Sequence, residues 1–240
     1  MNTQIYLPPL MARLANVDLT QAYDYVVRNN PANGLPYHNL FHTQCMALSC
    51  QIGAATADLP AFEQRALVLA ALFHDYDHSG GLTSDAENIK RACAALQQAA
   101  QVLSLPEDLV TRSLALIATT QFPPLAEAQG EAERIIRDGD MCQMLYDSWF
   151  EQVYMGLRTE MAHSRGLMTL SQFCDLQRSF FGSLQLHSAW GKSVQGLLQK
   201  KSARGVELAE RAVELVQEHA VSELDAYAMA EAEQTAKPAA

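Results

Sequence analysis

The sequence has no apolar run of 18 residues, no basic leader ahead of a long apolar stretch, and no cluster of basic residues longer than Lys200-Lys201. The first two absences argue against a membrane span and against secretion. The third removes the basic stripe that would follow a phosphate backbone. With 17 Lys and Arg against 27 Asp and Glu, the formal net charge is −10, and nucleic acid is not an expected partner. The five cysteines are an odd number and include no C-x-x-C, so no disulfide framework is expected. They read as reduced, mostly buried thiols, and the chain as cytoplasmic. Sustained period-2 alternation rich in β-branched residues is also missing, which leaves little room for a sheet.

What the sequence has is helical periodicity throughout, over 240 residues of which 49% are hydrophobic. That is enough to bury a core in one large domain. The periodicity predicts an all-α bundle with helices over about 18–29, 37–57, 60–75, 83–103, 106–120, 130–147, 148–164, 169–186, 188–200 and 204–229. Pro60 and Pro106 fall at first turns, and Ser84 with Glu87 forms a capping-box pattern. The domain is expected to occupy residues 1–200. A C-terminal amphipathic helix over 201–229, with Val206, Leu208, Ala209, Ala212, Val213, Leu215 and Val216 on its apolar side, would pack on that domain or on a second copy in a homodimer. Residues 230–240 are small and polar and are expected to fray.

Three clusters carry chemistry. In "LPYHNLFHT" (35–43), a helix over 37–57 would place His38 and His42 one turn apart on one face. In "ALVLAALFHDYDHSGG" (66–81), a buried apolar run ends in His74-Asp75-Tyr76-Asp77-His78 before two glycines. Four ionisable groups there need partners, because unpaired buried charge costs several kcal/mol. A divalent cation is one such partner; a solvated polar loop is the alternative. In "AERIIRDGDMCQMLYD" (132–147), Asp138 and Asp140 stand in an apolar helical setting that a metal, an N-cap or a salt bridge to Arg134 or Arg137 could compensate.

The order H … HD … D on consecutive helices resembles the HD superfamily of metal-dependent phosphohydrolases. "YHNLFHT" and "HDYDHSG" are similar to the Y-H-N-x-x-H and H-D-x-D-H-x-G motifs of its class I cyclic-nucleotide phosphodiesterases. The resemblance covers mainly residues 37–81, with Asp140, which follows the small Gly139, as a looser third match. It implies an HD-type helical bundle that hydrolyses a small, nucleotide-like phosphodiester, with His42, His74, Asp75 and Asp140 as ligands of one divalent metal. It also implies that Asp75 bridges to a second metal completed largely by water. The same mixed nitrogen and oxygen set accepts Mn, Mg, Fe, Zn or Ni. By the same resemblance His38 is the general acid, flanked by Tyr37 and Asn39, and His78 lies near the phosphate. Asp77 would sit behind the ligands, holding an imidazole in its working tautomer. Gln177 with Phe180 or Phe181, followed by Trp190, is similar to the late stretch that holds the base.

The match is incomplete. Ser79 stands where that family has proline, and "DLVTRSLALIATTQF" (108–122) has no counterpart of its E-N-H-H stretch, so no sequence candidate orients His38. An HD-type phosphomonoesterase or nucleotide pyrophosphohydrolase using the same ligands is the alternative enzyme, and a non-catalytic metal-binding sensor the alternative to an enzyme.

Overall fold

A computed structural model describes residues 7–146 and 148–235. The chain is an all-α bundle, as the periodicity predicts, with no strand among the described residues. Helices α1 (Leu7–Asn16), α2 (Thr20–Asn29), α3 (Leu40–Thr56), α4 (Ala61–Phe73), α5 (Asp85–Leu103), α6 (Glu107–Ala118) and α7 (Glu131–Asp140) form its first part. A 3-10 turn (Met141–Leu145) and a π-helical segment (Phe150–Leu157) lead into α8 (Arg158–Arg165), α9 (Leu170–Ser183), α10 (Ala189–His219) and α11 (Glu223–Thr235).

α4 is the axis of the first part. Every residue from Ala66 to Phe73 is buried, which is why its apolar residues show no face preference in sequence. It packs between α3 and α6, and α7 lies across α3. At its end Phe73 stacks on Tyr76 with ring centres 5.5 Å apart, and Tyr25 stacks on both. This aromatic group backs the segment that carries His74 and Asp75. A second apolar cluster joins Trp149, Phe150 and Tyr154 to Phe173 of α9, Leu208, Ala209 and Ala212 of α10, and Ala226 of α11.

Four differences from the expected helices have local causes. α1 was not predicted. Pro8 and Pro9 fall in its first turn, where proline is tolerated, and Leu10 and Leu14 anchor the helix in the core. α3 begins at Leu40 rather than 37 because the Asn39 side chain caps it, accepting the His42 amide at 3.1 Å. The helix expected over 130–147 ends at Asp140. α10 runs unbroken through 200–204, so the boundary expected between 200 and 201 falls inside one helix. Ser202 and Gly205 are buried there, and a Cβ on Gly205 would lie 2.9 Å from the Trp149 ring. The apolar side of this helix is covered by α9, α11 and the 149–154 segment of the same chain. α11 continues to Thr235 with Ala230 buried; the remainder of the tail, 236–240, lies outside the described residues.

Replacing Phe73, which is fully buried beneath the site, with alanine is expected to cost about 3–5 kcal/mol. The check is a lower urea midpoint at an unchanged slope.

Candidate metal centre

Three helix ends meet at one point. The first turn of α3 supplies His42, the residues just after α4 supply His74 and Asp75, and the last residue of α7 is Asp140. One ligand atom from each of the four lies within 4.8 Å of all the others. His42 and His74 are almost fully buried, and the two carboxylates are largely so.

The outer nitrogens of the two imidazoles fix what the inner ones offer. His42 Nδ1 faces the Gln143 side-chain oxygen at 3.2 Å, and His74 Nδ1 faces the Ala71 carbonyl at 2.9 Å. Both partners only accept, so each Nδ1 carries the proton and donates it, leaving an Nε2 lone pair directed inward in the neutral ring. The two Nε2 atoms are 3.2 Å apart. Asp75 Oδ2 lies 2.9 Å from His74 Nε2 and 3.1 Å from His42 Nε2, yet it is buried with no hydrogen-bond partner. Asp140 Oδ1 is 3.1 Å from His42 Nε2. Four lone-pair-bearing atoms therefore converge with no donor between them.

Protons could fill the gap only at a cost. Burial lowers the basicity of His42, but Asp140 and Asp75 outweigh it and push the pKa up to about 9; His74 is raised for the same reasons. Two imidazoliums would then point N–H groups at each other across the 3.2 Å separating their Nε2 atoms. A divalent cation satisfies all four atoms at once, and two imidazoles with two carboxylates form a donor set for Zn, Fe, Mn or Ni. The four residues can hold a metal ion.

Asp138 is not part of this group. Its carboxylate is buried and accepts from the His187 and Ser188 amides and the Ser188 hydroxyl, at 2.6–3.1 Å. It ties α7 to the start of α10. Of the two aspartates left open by sequence, Asp140 is the one at the centre. Asp77 also differs from expectation. Its amide donates to Asn30 and its carboxylate lies 3.9 Å from Arg91, so the group behind the His42 ligand is Gln143 instead.

His38 is not in α3, and the expected shared helical face does not exist; it lies in the segment before the Asn39 cap. Its ring still comes within 5.8 Å of His42, centre to centre, because Glu160 of α8 grips this segment. Glu160 Oε1 accepts the Tyr37 amide at 2.6 Å and the His38 amide at 3.0 Å, and Oε2 pairs with His38 Nδ1 at 2.6 Å. Burial alone would raise the Glu160 pKa, but His38 and the two amides hold it below the usual value. Glu160 was missed from sequence because 122 residues separate it from His38. The signal was Gly156, a glycine inside an apolar helical stretch. A side chain there would run into the Pro36 carbonyl, so the π-helical segment and the His38 segment touch backbone to backbone. π-helical turns often occur at functional sites.

The His78 ring lies against His38, centres 3.6 Å apart. His78 Nδ1 accepts the Gly80 amide at 3.1 Å, which leaves the proton of the neutral ring on Nε2. Burial lowers its pKa to about 4. Ligand atoms of His38, Asp75 and His78 form a second close group, with Asp75 common to both.

A cavity of about 290 Å³ opens onto Asp75 and Asp140. Tyr37, His38, His78, Gln177, Phe180 and Phe181 line it, together with Asp85, Asn88 and Phe122. Asn39 is not in its wall: beyond capping α3, its amide nitrogen donates to Leu35, Pro36 and Gln152. Trp190 lies in the second apolar cluster, away from the cavity.

Asp140→Ala is expected to abolish stoichiometric metal uptake, measured by elemental analysis, whereas Asp138→Asn retains it and lowers stability by roughly 1–3 kcal/mol. Nitrogen-15 correlation spectra are expected to show His78 neutral and protonated on Nε2 at pH 6, since its pKa of about 4 lies below that pH. No protein-family model matches the chain, and no curated protein matches it, so the functional reading rests on these residues and their geometry.

Proposed function

We propose that the chain is an HD-type metal-dependent phosphohydrolase that cleaves a small, nucleotide-like phosphodiester, as the two motif matches imply. The observation that carries this reading is the juxtaposition of four converging ligand atoms with a carboxylate-backed histidine at the mouth of one cavity. A sensor needs the first feature but not the second. His42, His74, Asp75 and Asp140 would hold the first cation, and Asp75 would be shared with a second completed largely by water, as the resemblance implies. A bound divalent cation supplies Lewis acidity towards phosphoryl oxygens and makes water a stronger acid.

The remaining work falls to side chains. Glu160 occupies His38 Nδ1, so Nε2 is the atom left to hand a proton to the leaving oxygen. Glu160 also fixes the orientation of the ring from which that proton is drawn. His78, neutral and protonated on Nε2, donates to a phosphate oxygen without adding a mobile charge. Phe180, Phe181 and Phe122 offer flat apolar contact, and Gln177, buried in the cavity wall, offers both a donor and an acceptor for a base.

Manganese-loaded protein is expected to cleave bis-p-nitrophenyl phosphate faster than p-nitrophenyl phosphate, with both activities lost in Asp75→Ala. His38→Asn should cost less than about tenfold on bis-p-nitrophenyl phosphate, whose leaving group is already acidic, and roughly 10²–10⁴-fold on a cyclic nucleotide, whose leaving alkoxide needs the proton. Monoester cleavage alone would favour the phosphomonoesterase alternative; metal binding without any cleavage would favour the sensor.

A further inference from the structure

Two polar groups in the cavity wall have no task in the reading above. Asn88 of α5 is only 5% exposed. Its Oδ1 accepts the Ser79 amide at 3.1 Å and lies 3.1 Å from the Thr83 hydroxyl, so the carboxamide cannot flip. Its Nδ2 donates to none of the described residues, which leaves it free to donate to a ligand in the cavity. One turn earlier, on the same side of α5, Asp85 accepts the Phe122 amide on Oδ2 at 2.7 Å, and its Oδ1 accepts from none of the described residues. Both residues line the cavity.

Their position follows from their tethers. Asn88 is held to Ser79, the neighbour of His78, which stacks on His38. Asp85 is held to Phe122, whose ring lies 6.3 Å from that of Phe180. The pair thus lies between the proton-handling histidines and the aromatic wall. In a nucleotide, the sugar lies between phosphate and base. We propose that Asp85 and Asn88 form a subsite that reads the hydroxyl next to the scissile ester of a ribose-bearing substrate. The subsite rests on the phosphodiesterase reading and adds to it a preference for ribo over 2′-deoxyribo substrates.

The chemistry selects the ligand. An ionised carboxylate oxygen only accepts and an amide nitrogen only donates, and one hydroxyl can satisfy both. A second phosphate would meet the Asp85 charge. A CH₂ in place of the hydroxyl would leave the Asn88 amide and the Asp85 oxygen without that partner, which is how such sites reject deoxy analogues.

The test measures how adenosine and guanosine 3′,5′-cyclic monophosphates, and their 2′-deoxy counterparts, inhibit hydrolysis of bis-p-nitrophenyl phosphate by the manganese-loaded full chain. The diester has no hydroxyl, so its cleavage by the wild-type protein reports on the metal centre alone. The ribo form is expected to inhibit about tenfold or more better than the deoxy form. Asp85→Asn keeps an acceptor for the Phe122 amide, and Asn88→Asp keeps the acceptor for Ser79 and Thr83. Each variant should bring the ribo-to-deoxy ratio close to one, and a ratio is insensitive to the charge change, which affects both ligands alike. Equal inhibition by the two forms in wild type, no inhibition by either, or an undiminished ratio in both variants would overturn the subsite. If the wild-type protein leaves the diester intact, the phosphohydrolase reading has failed first and takes the subsite with it.

Discussion

Four atoms that each offer a lone pair when the two imidazoles are neutral set the terms for the rest of this structure. His42 and His74 have their outer nitrogens committed to acceptors, and Asp75 Oδ2 is buried without a donor. Such an arrangement is unfavourable by itself and becomes favourable around a cation. The helices contribute to the same end. α4 and α7 both present their C-terminal ends to the centre, where unpaired carbonyls place partial negative charge that favours a cation. α3 meets the same point with its N-terminal end and offers a neutral imidazole there.

Holding these atoms in place takes two apolar bodies. The α4 core fixes the His74-Asp75 segment against Tyr25, Phe73 and Tyr76. The second cluster fixes the part that brings in Glu160, and the Asp138 staple joins α7 to α10 between them. Close backbone approach matters at two glycines: Gly156 lets the π-helical segment reach Pro36, and Gly205 lets Trp149 seat against α10. Each substitutes close contact for a side chain.

The cavity is graded from one end to the other. Charged and metal-ligating groups occupy one end, Asp85 and Asn88 the middle, and Phe122, Phe180 and Phe181 the apolar wall. That order matches the polarity of a nucleotide from phosphate through sugar to base. The grading arises because α5 starts directly after the His78–Gly81 loop, so its first turn is delivered next to the histidines.

The helical class was legible in the sequence because helical periodicity is local; the four metal-ligand positions came from the motif resemblance, and the four ionisable groups at the end of a buried run announced only a need for partners. His38 was identified for the wrong geometric reason: the spacing of four suggested a shared helical face, whereas the Asn39 cap starts α3 after it. Sequence could not choose between Asp138 and Asp140, since both sit in the same apolar setting two residues apart. Only packing separates them, one turned to the start of α10 and the other to the imidazoles. Glu160, Gln143 and Asp85 likewise carry no local mark. Their roles come from contacts between segments distant in the chain or from which single oxygen of a side chain is already occupied, and that is decided by tertiary structure alone.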